Sequence, residues 1–138
     1  MKLIISSVLA LSLAACATSI EVYKRELPKE ERNKLFNQDI ERAEQFVGQG
    51  HIRGCLDVFK FRMHDPDSFE VAQYPVLDRE SSRYTWGVSW VEGQPFRLVV
   101  FSGAVRGNNA FGGKVLTNIQ CEFNISDTEA KFYQVKQR

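Results

Sequence analysis

The stretch "RGNNAFGGKVLTNIQCEFNI", Arg106–Ile125, decides how this chain folds. Its first half comes close to a phosphate-cradling loop, whose pattern is G-x-x-x-x-G-K-[ST]. Gly107 and Gly112 have the required spacing. An extra Gly113 then precedes Lys114, and Val115 stands where a hydroxyl is needed. The second half settles the reading. Val115, Thr117, Ile119, Cys121, Phe123 and Ile125 alternate with Asn118, Gln120 and Glu122. That is the period of a half-buried strand, with the polar set facing outward, whereas a phosphate loop must enter a helix. The glycines are therefore expected to supply positive φ in a hairpin turn, and Asn108 and Asn109 tolerate the same geometry. Phe111 is the unusual member. Buried, it makes the loop purely structural; exposed, it makes Asn108, Asn109, Phe111, Gly112, Gly113 and Lys114 a candidate partner-binding loop.

Working outward, Leu98–Val105 is apolar on both faces and reads as a central strand. Tyr84, Trp86, Val88 and Trp90 alternate and read as another, closed by a turn at Glu92–Pro95. Phe69, Val71 and Gln73 begin a strand that Pro75 restricts to a sheet edge. Before Ser68 the period is helical. Phe36, Ile40, Ala43 and Val47 share one face after Pro28, and Gly48 and Gly50 end that helix. Ile52, Cys55 or Leu56, Phe59 and Met63 share a face of a second helix. Asp65, Pro66, Asp67 and Ser68 form the turn that stops it. The tail is open: Ser126 and Glu129 suit the capping box of a short helix, and Phe132, Tyr133 and Val135 suit a strand. Helices before strands indicate an α+β fold, with two N-terminal helices packed on a three- to four-stranded antiparallel β-meander.

The chain opens "MKLIISSVLALSLAAC". Lys2 is followed by an apolar run of about eleven residues, too short for the ~20 of a spanning helix and suited to a signal peptide. "LAAC", Leu13–Cys16, resembles the lipobox of bacterial lipoproteins. That resemblance implies cleavage before Cys16, acylation of Cys16 and, with Ala17 next, residence on the periplasmic side of the outer membrane. The expected organisation is residues 1–15 as signal peptide, 16–27 as lipidated cysteine and tether, and 28–138 as one domain. Lys2 leaves with the signal, so of 18 basic residues 17 remain against 17 acidic. A neutral domain argues against nucleic acid as a partner. The membrane is met through the lipid.

Of three cysteines, Cys55 and Cys121 remain once Cys16 carries lipid. In an oxidising compartment they are expected to pair. The alternative is a metal site in which His51 and Cys55, spaced i, i+4, are joined by Cys121 and His64. No second close ligand pair exists, and the reading adopted has no metal and no cofactor.

"DPDSFEV" from Asp65 and "GNNAFGGKV" from Gly107 together resemble a group of small bacterial exported proteins and lipoproteins, some phage-associated, with a D-P-D-S turn and an N-x-F-G-G hairpin. The resemblance covers about Cys55 to Phe123. His64 stands where the group has a basic residue, and Lys114 where an aromatic often follows the glycines. It implies location and architecture, not chemistry. No nucleophile elbow surrounds any serine. Asp65 and Asp67 as paired carboxylates, Tyr84, Trp86 and Trp90 as an aromatic platform, and Arg97, Arg106 and Lys114 as an anion site are weighed against turn, core and solvated charge. The expected function is a non-catalytic, lipid-anchored interaction module engaging an envelope protein, with superinfection exclusion as one form. The alternative is an assembly lipoprotein resembling the small lipoprotein of the outer-membrane barrel-assembly complex. A small periplasmic enzyme ranks below both.

Overall fold

The computed structural model describes residues 27–86, 89–91 and 94–138, with backbone alone for 89–91 and 94–96. The signal peptide, Cys16, residues 17–26, Val88, Glu92 and Gly93 lie outside the described residues.

The fold is α+β. Helix α1 (Lys29–Phe46) and helix α2 (Gln49–Arg62) precede a single 3-10 turn at Pro66–Ser68. Strand β1 (Glu70–Leu77), helix α3 (Arg79–Thr85), and the short strands β2 (Ser89–Val91) and β3 (Gln94–Phe96) follow. Long strands β4 (Leu98–Asn108), β5 (Lys114–Ile125) and β6 (Ala130–Gln137) complete the order. The main sheet is antiparallel in the order β1-β4-β5-β6, and β2 and β3 form a separate two-stranded ribbon. The run read as central, from Leu98, is central. The Pro75 strand is an edge, and its register slips twice, between Val71 and Gln73 and again before Val76. Gly103 lets this irregular edge approach, because a Cβ there would sit 2.6 Å from Gln73 O.

One face of the sheet carries the core. Phe36, Ile40 and Ala43 of α1, and Ile52, Leu56 and Phe59 of α2, meet Val99, Phe101, Val105, Ile119, Phe123, Ile125 and Val135. The helical spacings read from the sequence are the buried faces. Phe123 sits edge-on to Phe101, with ring centroids 5.6 Å apart. Cys55 and Cys121 form a disulfide, with Cα atoms 6.0 Å apart, that ties α2 to β5. It does not reach the final strand, because β6 follows. The sulfurs are thus spent on each other. His51 is engaged locally: its Nδ1 accepts from the Gly48 N–H at 3.2 Å, and its ring meets Phe123 edge-on. The His51–Cys55–Cys121–His64 metal set is not assembled.

Three expectations are corrected. Gly48 and Gly50, both expected to end the first helix, instead serve the second: Gly48 is the N-cap of α2 and Gly50 lies inside it. The strand expected from Tyr84 is a helix as far as Thr85, and Pro95 belongs to β3 instead of a turn. Asp78 is the reason for the helix. Its side chain accepts from the Ser81 N–H at 2.9 Å, and the buried Ser82 hydroxyl donates to Asp78 O at 2.6 Å. A satisfied N-cap is worth ~1 kcal/mol and outweighs the weak strand preference of Tyr84 and Thr85. Tyr84 is 84% exposed whereas Trp86 is buried, so they do not form one aromatic platform. The open tail resolves as strand. Ser126 and Glu129 close the β5–β6 turn, where the Ser126 N–H donates to Glu129 O at 2.9 Å.

Glu122 does point away from the helix face, as the alternation required, yet it is fully buried. Its carboxylate is 2.5 Å from Lys136 Nζ and accepts from Gln134 Nε2 at 2.8 Å. These two neighbours on β6 compensate the burial of its charge.

Candidate functional site

The two motifs singled out in the sequence meet in space. The turn at Pro66–Ser68 is closed by the Ser68 hydroxyl donating to Asp65 O at 2.7 Å. The same hydroxyl oxygen accepts from the Asn108 N–H at 2.7 Å. Asp65 Oδ2 accepts from Asn108 Nδ2 at 3.1 Å. One turn therefore grips the last residue of β4, where β4 leaves its pairing with β1. Gly107 completes the joint for a steric reason: a Cβ there would lie 1.9 Å from Met63 Cε and 3.3 Å from Ser68 Oγ. Gly107 serves close approach, not positive φ, which corrects its expected role. Asp65 is occupied in docking the hairpin, so the Asp65–Asp67 pair is not a free carboxylate dyad.

Beyond this grip the hairpin turns through Asn109–Gly113. The Asn109 N–H donates to Gly113 O at 2.8 Å, and the Gly112 N–H to Asn109 O at 3.0 Å. Gly112 has φ of 79°, so the turn does require glycine at that position. Asn109 Oδ1 accepts from both the Phe111 and Gly113 N–H groups at 3.0 Å. The side chain thus holds the loop in one conformation from within. Phe111 projects from this braced turn and is 96% exposed. Val115 and Leu116 on the adjoining strand are 43% and 55% exposed. Alternation had assigned Val115 to the core, but β5 outruns the packed elements here. Its pairing with β6 begins only at Ile119.

Beside the tip, two cations share one carboxylate. Lys114 Nζ lies 2.9 Å from Glu70, and Arg106 3.9 Å from it. The Lys114 ammonium holds the Glu70 carboxyl below its ordinary value. Arg97, the third member of the expected anion set, is at the opposite end of β4. The three cations are not brought together. Among the described residues, no group of three or more His, Cys, Asp or Glu is placed to hold a metal ion.

At that opposite end lies a buried ionic network that sequence reading missed. Asp39 is fully buried. It lies 2.6 Å from Arg97 Nε and 3.1 Å from Arg42 Nη1, and accepts from Trp86 Nε1 at 2.9 Å. The Arg97 contact is short but out of line for a hydrogen bond, so it is an ion pair. The signal was available: Asp39 falls at i+3 from Phe36, on the apolar face of α1. The network joins α1, the end of α3 and the start of β4, and makes this end of the sheet the rigid base.

On the sheet face opposite the core, Gln73, Ser102, Gly103, Asn118, Gln120 and Arg138 line a half-open cleft of about 380 Å³. Two of its side chains are tied to α3: Ser102 donates to Asp78 and Gln120 to Ser81. No family model, curated protein or solved structure matches this chain.

Proposed function

We propose that this protein is a non-catalytic interaction module, tethered by lipid on Cys16 to the periplasmic side of the outer membrane, that engages an envelope protein through the tip Asn108–Lys114. The observation that supports this reading is the full exposure of Phe111 on a turn held rigid from within and gripped from below. Large apolar side chains of this kind, presented without loss of conformational freedom, are anchors of protein interfaces. The placement suits a tethered module. Helix α1, which follows the tether, is fixed at the Arg97 end of β4, and the tip lies ten residues further along that strand, about 33 Å away. The tip would then reach outward from the anchored end. The phage-associated resemblance makes exclusion of a second phage, by occupying its envelope protein, the specific form of this reading.

The test is photo-crosslinking in cells with Phe111→p-benzoylphenylalanine in the full chain. A discrete adduct that a probe at exposed Tyr84 does not give supports the tip. Absence of any adduct at position 111 refutes it. Labelling with radioactive palmitate, lost in Cys16→Ser, tests the anchor separately.

A further inference from the structure

We infer that the cleft on the sheet face opposite the core is a binding site for a neutral, hydroxyl-rich ligand, a saccharide. The site is separate from the tip and needs no protein partner.

Register builds the cleft. Gln73 of β1 pairs with Ala104 of β4, and Ala104 pairs in turn with Asn118 of β5. Two amide side chains thus stand in one row on either side of a small residue. The next row sets Ser102 opposite Gln120. Small residues at 102 and 104, flanked by longer ones, leave the hollow. Its volume of about 380 Å³ falls within the range of ligand sites, roughly 300–1,000 Å³. The edge strand is bent to fit. Gln73 is paired between the two register slips of β1. Such bulges re-aim a side chain and occur beside functional sites.

Helix α3 braces two of the lining side chains from behind, which fixes their geometry before any ligand arrives. The Ser102 hydroxyl donates to Asp78 Oδ2 at 2.7 Å, and Gln120 Nε2 donates to Ser81 Oγ at 3.0 Å. With those donors engaged, Ser102 Oγ and Gln120 Oε1 are left to accept. Among the described residues, the exposed amides of Gln73 and Asn118 have no side-chain partner, and each can both donate and accept. Fixed acceptors suit ligand O–H and N–H groups and oppose an anion. A cation finds no free carboxylate, because Asp78 already accepts from the Ser81 N–H and from both serine hydroxyls. Burial raises the Asp78 carboxyl, but these bonds and the charge of Arg138, which also lines the cleft, hold it below its ordinary 3.8. The Arg138 and Asp78 charges offset each other. What remains is a neutral set of amides and hydroxyls, matched to the hydroxyls of a sugar.

Solution NMR of the full chain, in a detergent without sugar headgroups, tests this with side-chain amide resonances as reporters. Chitotriose and maltotriose are the neutral probes, and citrate and spermidine the charged ones. The expected result is a saturable shift of the Gln73, Asn118 and Gln120 amides with at least one trisaccharide. The Gln134 amide, held by Glu122, should stay in place. Gln73→Ala and Asn118→Ala should each weaken binding about fivefold, the worth of one hydrogen bond, with the melting temperature unchanged. Gln137→Ala, which pairs with Ile119 of the core face, should leave binding as it was. No shift with either trisaccharide overturns the saccharide site, and so does tighter binding of citrate or spermidine. Saccharide binding unchanged in both Gln73→Ala and Asn118→Ala also overturns it, because the sugar then sits elsewhere.

Discussion

Replacing Asp39 with Asn removes one negative charge from a fully buried site while keeping its size. The Trp86 Nε1 bond survives, because the amide oxygen still accepts. What is lost is compensation for Arg97, whose side chain is 8% exposed. Breaking a buried pair by removing one partner costs about 3–5 kcal/mol, because an uncompensated charge stays behind. The lower end applies here. Arg97 Nη2 retains a contact with exposed Asp127 at 3.4 Å, and Arg42, partly solvated, keeps its own contact with Asp127 at 3.1 Å. For a domain of this size, about 3 kcal/mol corresponds to a fall in melting temperature of about 12 °C. Urea unfolding followed by far-UV circular dichroism measures it. Adding Arg97→Met to Asp39→Asn should recover most of the loss, because no buried charge is then stranded. A loss below about 1 kcal/mol in the single variant, or a double variant no better than the single, would mean that Arg97 is solvated and that this end of the sheet is not held by the network.

Ser68→Ala should cost about 1–2 kcal/mol by leaving the Asn108 N–H without its acceptor, and hydrogen exchange at Asn108 should accelerate while that of Phe123 is unchanged. Replacing Cys55 and Cys121 together by Ala should cost on the order of 4 kcal/mol, since the bridge closes a loop of 66 residues; an unchanged urea midpoint would contradict this. Asp78 should contribute a pH dependence. Burial raises its carboxyl, but the Ser81 N–H and the Ser102 and Ser81 hydroxyls outweigh this and hold it below its ordinary 3.8. A folded value below the unfolded one gives stability that is present above the unfolded value and lost as pH falls through the folded one. Asp78→Asn should therefore lower stability at pH 7 and flatten its decline below about pH 4. In proton-resolved titration, Lys114→Met should return the Glu70 carboxyl toward 4.5.

The sequence by itself determined the elements whose periodicity is long and whose residues bury one face. Phe36-Ile40-Ala43, Ile52-Leu56-Phe59 and Ile119-Cys121-Phe123-Ile125 each declare a face because burial requires one. The pairing of Cys55 with Cys121 followed from counting once Cys16 was set aside. The hairpin could be told from a phosphate loop because an alternating strand, not a helix, follows the glycines. Other features depended on groups far apart in the chain. The strand expected at Tyr84 is a helix because Asp78 caps it and Ser82 reaches the Val100 backbone. Asp39 is tolerable on an apolar face only because Arg97, 58 residues later, arrives beside it. Gly107 leaves room for the end of Met63, which would have to shift if a side chain stood there, and its own φ makes no such demand. For the candidate site, sequence named the loop and posed the question of Phe111. Tertiary structure answered it: Asn108 is held by Ser68 and Asp65 across 40 and 43 residues, and Phe111 beyond that grip is left exposed. Whether a turn residue is covered depends on what packs around it from elsewhere in the chain, and no local pattern in Asn109–Gly113 records that.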